Sequence, residues 1–135
     1  MAESRATSFR TALGRARGLG SAKAGVGHFI AQRVSAAALI LLMAWGVFSA
    51  LTLAVGGYDE AFVWLHYPVN ATLAVLTAGA AFFHLQLGMR TIIEDYVHRP
   101  ATKAALLVAD AFVCWGAAAL TIVCLLMVAF SAGAA

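Results

Sequence analysis

Three stretches of the chain contain no Asp, Glu, Lys or Arg: residues 34–55, 61–89 and 111–135, with residues 104–109 extending the last beyond Asp110. About 20 apolar residues cross a bilayer as a helix. The pattern therefore predicts an all-α integral membrane protein with three transmembrane helices and no soluble domain. Helix breakers set the boundaries. Gly56-Gly57 is a natural stop for the first helix, and Pro68 suits the first turn of the second, where its missing N–H is not required. Pro100 closes the next connection. The prediction is a basic arm over 1–28, a first span over 29–55, a connecting loop over 56–67, a second span over 68–93, a second loop over 94–101 and a third span over 102–131.

Composition sharpens this. The chain is 63% hydrophobic and 11% charged, too little charge to cover a soluble domain. The net charge of +3 is not a nucleic-acid signal, because its sources are segregated. Six of the nine Lys and Arg residues (Arg5, Arg10, Arg15, Arg17, Lys23, Arg33) precede the first span, and Arg90, Arg99 and Lys103 lie near the second loop. The first loop carries Asp59 and Glu60 instead. Basic residues concentrate on the cytoplasmic side. The N-terminus and the 94–101 loop are thus expected in the cytoplasm, and the 56–67 loop and C-terminus outside it, in the periplasm of a bacterial inner membrane. The first 33 residues lack the apolar core of a secretory signal. They read as a flexible arm beside anionic lipid headgroups, although a mitochondrial transit peptide shares their bias. Tyr58, Trp64 and Tyr67 fit an interfacial aromatic belt. Cys114 and Cys124 fall on different faces of the third span, which makes them packing residues with no disulfide expected.

The most informative segment is His84 to Tyr96. His84 stands alone inside the second span, and Asp95-Tyr96 stand where that span leaves the membrane. On one helix, eleven positions rise roughly 16 Å and return to nearly the same face. The neighbours of His84 at helical spacing (Thr77, Ala80, Ala81, Gly88) are all small. One reading is an ordinary helix–helix contact in which His84 hydrogen-bonds a neighbour. Polar residues at membrane depth are costly and usually functional, and small flanking residues leave room for a flat porphyrin with the imidazole on its iron. The spacing to Asp95-Tyr96 favours the haem reading. No other histidine lies at suitable depth: His66 is near the outer edge, and His28 and His98 near the cytoplasmic edge. A second axial ligand must come from another chain, so the protein is expected to be one part of a larger anchor bundle.

At the cytoplasmic edge, a tyrosine hydroxyl can donate to a quinone carbonyl and a carboxylate can pass a proton. Equally, Tyr96 can be an interfacial anchor, with Asp95 paired to Arg90 or Arg99. Arg33 either snorkels to the headgroups or pairs with haem propionates. Asp110 reads as a helix-terminal charge or a partner of Lys103 or Arg90.

The pattern His84-x3-Gly88-x6-Asp95-Tyr96-Val97, followed by His98, resembles the small hydrophobic membrane-anchor subunits of succinate dehydrogenase, respiratory complex II, of the cytochrome b556 type. The segment Gly27-His28-Phe29-Ile30-Ala31-Gln32-Arg33 resembles the family's approach to its first helix, with a weaker match. The resemblance implies that His84 ligates haem b, that Tyr96 hydrogen-bonds ubiquinone with Asp95 beside it, and that Arg33 lies near the haem propionates. It implies a flavoprotein that oxidises succinate, an iron–sulfur protein and a second cytochrome b anchor as partners. The chain itself has no flavin or iron–sulfur motif, so its electrons would arrive from a partner and pass to quinone. The same architecture run backwards with menaquinone is a fumarate reductase anchor. A haem-free small transporter or purely structural membrane subunit is the reading from another class.

Overall fold

The computed structural model describes residues 11–16 and 25–131, so most of the basic arm, with Arg5, Arg10, Arg17 and Lys23, lies outside the described residues. A five-residue helix α1 (Ala12–Ala16) is followed by three long helices: α2 (Gly25–His66), α3 (Pro68–Tyr96) and α4 (Pro100–Phe130). All three are long and apolar enough to cross a membrane, and no strand occurs among the described residues. The all-α, three-span architecture expected from the charge-free runs is the one found.

Pro68 and Pro100 each open a helix in its first turn, after residues with extended backbone (Tyr67 and Arg99). Proline disfavours helical geometry in the residue before it and fixes its own φ near the helical value. These two residues therefore punctuate the chain as the sequence suggests. The helix ends differ at three places. α2 begins at Gly25, inside the expected arm; α3 runs to Tyr96; and α4 starts at Pro100.

The largest difference is the connection between α2 and α3. The loop expected over 56–67 is helical over residues 58–66, and only Gly57 departs from helical geometry, with φ 76° and ψ −165°. That left-handed φ is open to glycine and strained for other residues. The break reverses the chain. Trp45 and Trp64 stack with ring centroids 5.4 Å apart. In one straight helix the same two residues would stand roughly 28 Å apart at about 1.5 Å per residue. The short limb 58–66 therefore folds back at the α2–α3 end of the bundle, where Asn70 Nδ2 donates to the Trp64 carbonyl at 3.0 Å.

α3 is the middle helix, packed on both α2 and α4, which meet each other only weakly. The internal core is thin. Leu65, Leu87, Ile93, Cys114 and Ala118 are buried, together with Ser35 and Ser49, and no large side chain is fully buried among the described residues. Large apolar side chains such as Ile40, Leu41, Phe48, Phe112 and Leu120 face outward along the spans. In water this surface would be untenable. In a bilayer, each helix satisfies its own backbone and can leave apolar faces to lipid or to neighbouring helices.

Candidate functional site

His84 lies on α3 at the seam with α2. Its Nδ1 is 2.9 Å from the hydroxyl of Ser35 on α2. Ser35 is only 7% exposed, so water does not compete for that bond. The Ser35 hydroxyl also bonds back to the Gln32 carbonyl of its own helix at 3.1 Å, a common habit of helical serine. His84 thus makes the helix–helix hydrogen bond that the sequence offered as the bland alternative. The bond uses one ring nitrogen and leaves Nε2 for another partner.

Beside His84 is a cavity of about 450 Å³ lined by Gly25, His28, Phe29, Gln32, Arg33, Ala36 and Thr91 as well as His84. Arg33 holds its guanidinium 5.2 Å from the centre of the Phe29 ring, a cation–π distance. The structure therefore brings Arg33 and His84 to one cavity. The small residues Thr77, Ala80, Ala81 and Gly88 do not line it. The space comes mainly from α2, where Gly25 and Ala36 are small, and from Thr91 two turns along α3. Thr77 instead donates to the Leu73 carbonyl at 2.7 Å.

A second cavity, about 530 Å³, is lined by Gly25, Gly27, His28, Ala31, Leu87, Arg90 and Glu94. His28 lines both, and its Nε2 is buried without a hydrogen-bond partner. An orphaned buried ring nitrogen is costly unless something outside the chain meets it. Sequence reasoning placed His28 only at the cytoplasmic edge and passed over Gln32 and Ser35. The signal was available: His28, Gln32, Ser35 and Ala36 recur at helical spacing and so share a face of α2.

Asp95 and Tyr96 close α3 at the same end of the bundle. Tyr96 is 79% exposed, and Asp95 is exposed as well. The ion pair at this end joins Arg90 to Glu94 at 2.8 Å, not to Asp95. Lys103 of α4 donates to the Glu94 carbonyl at 2.7 Å. Asp95 therefore pairs with neither Arg90 nor Arg99 among the described residues. Neither Asp95 nor Tyr96 lines the two cavities beside His84.

Asp110 also departs from expectation. Lys103 and Arg90 are both engaged with Glu94. One Asp110 oxygen accepts from the Cys114 thiol at 3.5 Å, and the other is buried without a partner. Both cysteines are free, Cys114 buried and Cys124 exposed.

This geometry defines a class: a multi-pass membrane protein with an intramembrane histidine, a guanidinium in the same cavity, and a free carboxylate and phenol at one membrane boundary. The family described as succinate dehydrogenase/fumarate reductase transmembrane subunit matches residues 7–131, and the chain belongs to it. It is similar to the succinate dehydrogenase hydrophobic membrane anchor subunit of Rickettsia conorii, 33% identical over 90 residues, covering 66% of this chain and 71% of the relative. The subunit of the same name from Rickettsia bellii is 32% identical over 103 residues, covering 75% and 81%. That of Rickettsia prowazekii is 26% identical over 125 residues, covering 93% and 97%. No solved structure matches the chain.

Proposed function

We propose that this chain anchors a succinate:ubiquinone oxidoreductase in the bacterial inner membrane, supplies one axial ligand of haem b through His84, and forms part of the ubiquinone-reduction site through Asp95 and Tyr96. The observation that carries the reading is the shared cavity of His84 and Arg33, with one ring nitrogen of His84 tied to Ser35 and the other uncommitted. The donor set suits haem b: an imidazole for iron, and Arg33 with the orphaned His28 Nε2 for the anionic propionates. Bound haem supplies a one-electron centre within the membrane. A second anchor subunit would contribute a further ligand to the haem, and flavoprotein and iron–sulfur subunits would deliver electrons from succinate.

Quinone reduction consumes two electrons and two protons. Tyr96 donates its hydroxyl hydrogen bond to a quinone carbonyl and orients it. Asp95, unpaired and open to water, accepts protons from solvent and passes them toward the ring. Because Tyr96 is so exposed in this chain alone, the quinone pocket is completed by a partner's surface. The concentration of basic residues near this end supports a cytoplasmic location for it, with the C-terminus in the periplasm. The relatives carry the name succinate dehydrogenase, which favours that direction over fumarate reduction with menaquinone. Turnover of the purified complex with ubiquinone and with menaquinone analogues tests the assignment. Faster reduction of ubiquinone at the expense of succinate is expected, and a complex active only with menaquinol and fumarate contradicts it.

A further inference from the structure

We infer that Ser35 is a positioning residue for His84: it fixes which ring nitrogen carries the proton and so keeps Nε2 bare for iron. The inference rests on the haem reading above and adds to it a partner on a different helix. A carbonyl oxygen can only accept, so the 3.1 Å contact from Ser35 to the Gln32 carbonyl takes the single hydroxyl proton. The 2.9 Å contact with His84 can coexist with it only if Nδ1–H donates and Ser35 Oγ accepts. The hydrogen bond at one ring nitrogen sets the state of the other. A neutral imidazole with its proton on Nδ1 has its lone pair on Nε2, the form a metal requires.

Two features make the device effective. Ser35 is buried, so the bond is not exchanged with water. Ser35 also stands on α2 and His84 on α3, so the contact fixes ring rotation against a neighbouring helix and not merely within one. An Nδ1–H that donates makes the imidazole a more basic ligand. A more electron-rich ligand favours ferric over ferrous iron. Losing the acceptor should raise the haem potential and weaken haem retention, roughly within the 10- to 100-fold range known for ligand-supporting hydrogen bonds.

The test is a redox titration of haem b, with its low-spin electron paramagnetic resonance spectrum, in complexes purified through this chain. Ser35→Ala should titrate at a higher potential with shifted g-values, and Ser35→Thr, which restores an acceptor, should return both toward the parent. A Ser35→Ala complex with the parent's potential, spectrum and haem content overturns the inference. If Ser35→Ala does not assemble, Ser35→Cys keeps the size and offers a weaker acceptor. It should show a smaller upward shift, and the absence of any shift overturns the inference equally. His84→Ala separates the two levels. If it leaves the haem signal unaltered, the ligand reading itself fails. If it removes the signal while the Ser35 variants match the parent, only the role of Ser35 fails.

Discussion

The imidazole of His66 joins the end of α2 to the end of α4: its Nε2 lies 2.8 Å from the Ser131 carbonyl, and its Nδ1 lies 2.8 Å from the Phe62 carbonyl. Two carbonyls can only accept, so both contacts are satisfied together by the imidazolium alone. The two carbonyls accordingly raise the His66 pKa above its ordinary value, working against a smaller effect of burial. His66 sits in the short limb beyond the kink, outside the apolar span.

A pH dependence follows. The folded-state pKa is raised, so the stabilisation is fully present below the ordinary histidine range, near 6.5, and is lost as pH rises through the folded value. Thermal unfolding of the purified complex should show His66→Ala less stable than the parent at mildly acidic pH, with the gap narrowing toward alkaline pH. A gap that does not change with pH means the ring acts by packing, for instance on Phe62, whose ring centroid is 4.4 Å away.

Gly57 should not tolerate a side chain. At φ 76° and ψ −165°, Gly57→Ala costs on the order of 1–3 kcal/mol and loosens the fold-back that stacks Trp45 on Trp64. Gly46, inside the helical part of α2 with open space at its Cβ position, should accept alanine and gain roughly 0.5–1 kcal/mol. Opposite shifts in unfolding temperature for these two substitutions check the kink.

At the end of α3, Tyr96→Phe removes one hydroxyl and nothing else. Because Tyr96 is exposed, assembly and haem content should be unchanged. Quinone reduction should fall about ten-fold, the equivalent of one hydrogen bond of about 1.4 kcal/mol. Asp95→Asn should slow the same step, with succinate oxidation by an artificial soluble acceptor unaffected. Assays with the two acceptors separate this from an assembly defect.

Arg33 should matter to haem more than to folding. Its guanidinium lies over the Phe29 ring, and it lines the His84 cavity. Arg33→Gln should leave the complex assembled and lower its haem content on detergent washing. Equal retention in parent and variant would place Arg33 among the headgroups instead.

The spans were legible because charge-free runs and two prolines are direct consequences of bilayer solvation and backbone sterics. His84, Arg33, Asp95 and Tyr96 stood out as candidates because each is a polar residue at a depth or boundary where polarity has a cost. The limb 58–66 was not legible. Gly56-Gly57 signals a helix stop, but nothing local says that helix resumes at 58 and folds back, since the Trp45–Trp64 stack joins positions distant in sequence. Ser35 was missed for a related reason: a serine in an alanine-rich span reads as small packing, and its meaning comes from a histidine 49 positions away. Asp110 was misjudged because its expected partners are taken by Glu94: Arg90 pairs with the Glu94 carboxylate one turn along α3, and the turn between α3 and α4 brings Lys103 to the Glu94 carbonyl.

We propose His84 as a ligand of haem b. A reduced-minus-oxidised visible spectrum of the complex purified through this chain, beside the same complex carrying His84→Ala, tests it most directly. A b-type haem signal in the parent that the substitution abolishes or shifts is expected. An assembled, unsubstituted complex without haem, or a signal indifferent to His84→Ala, would contradict it.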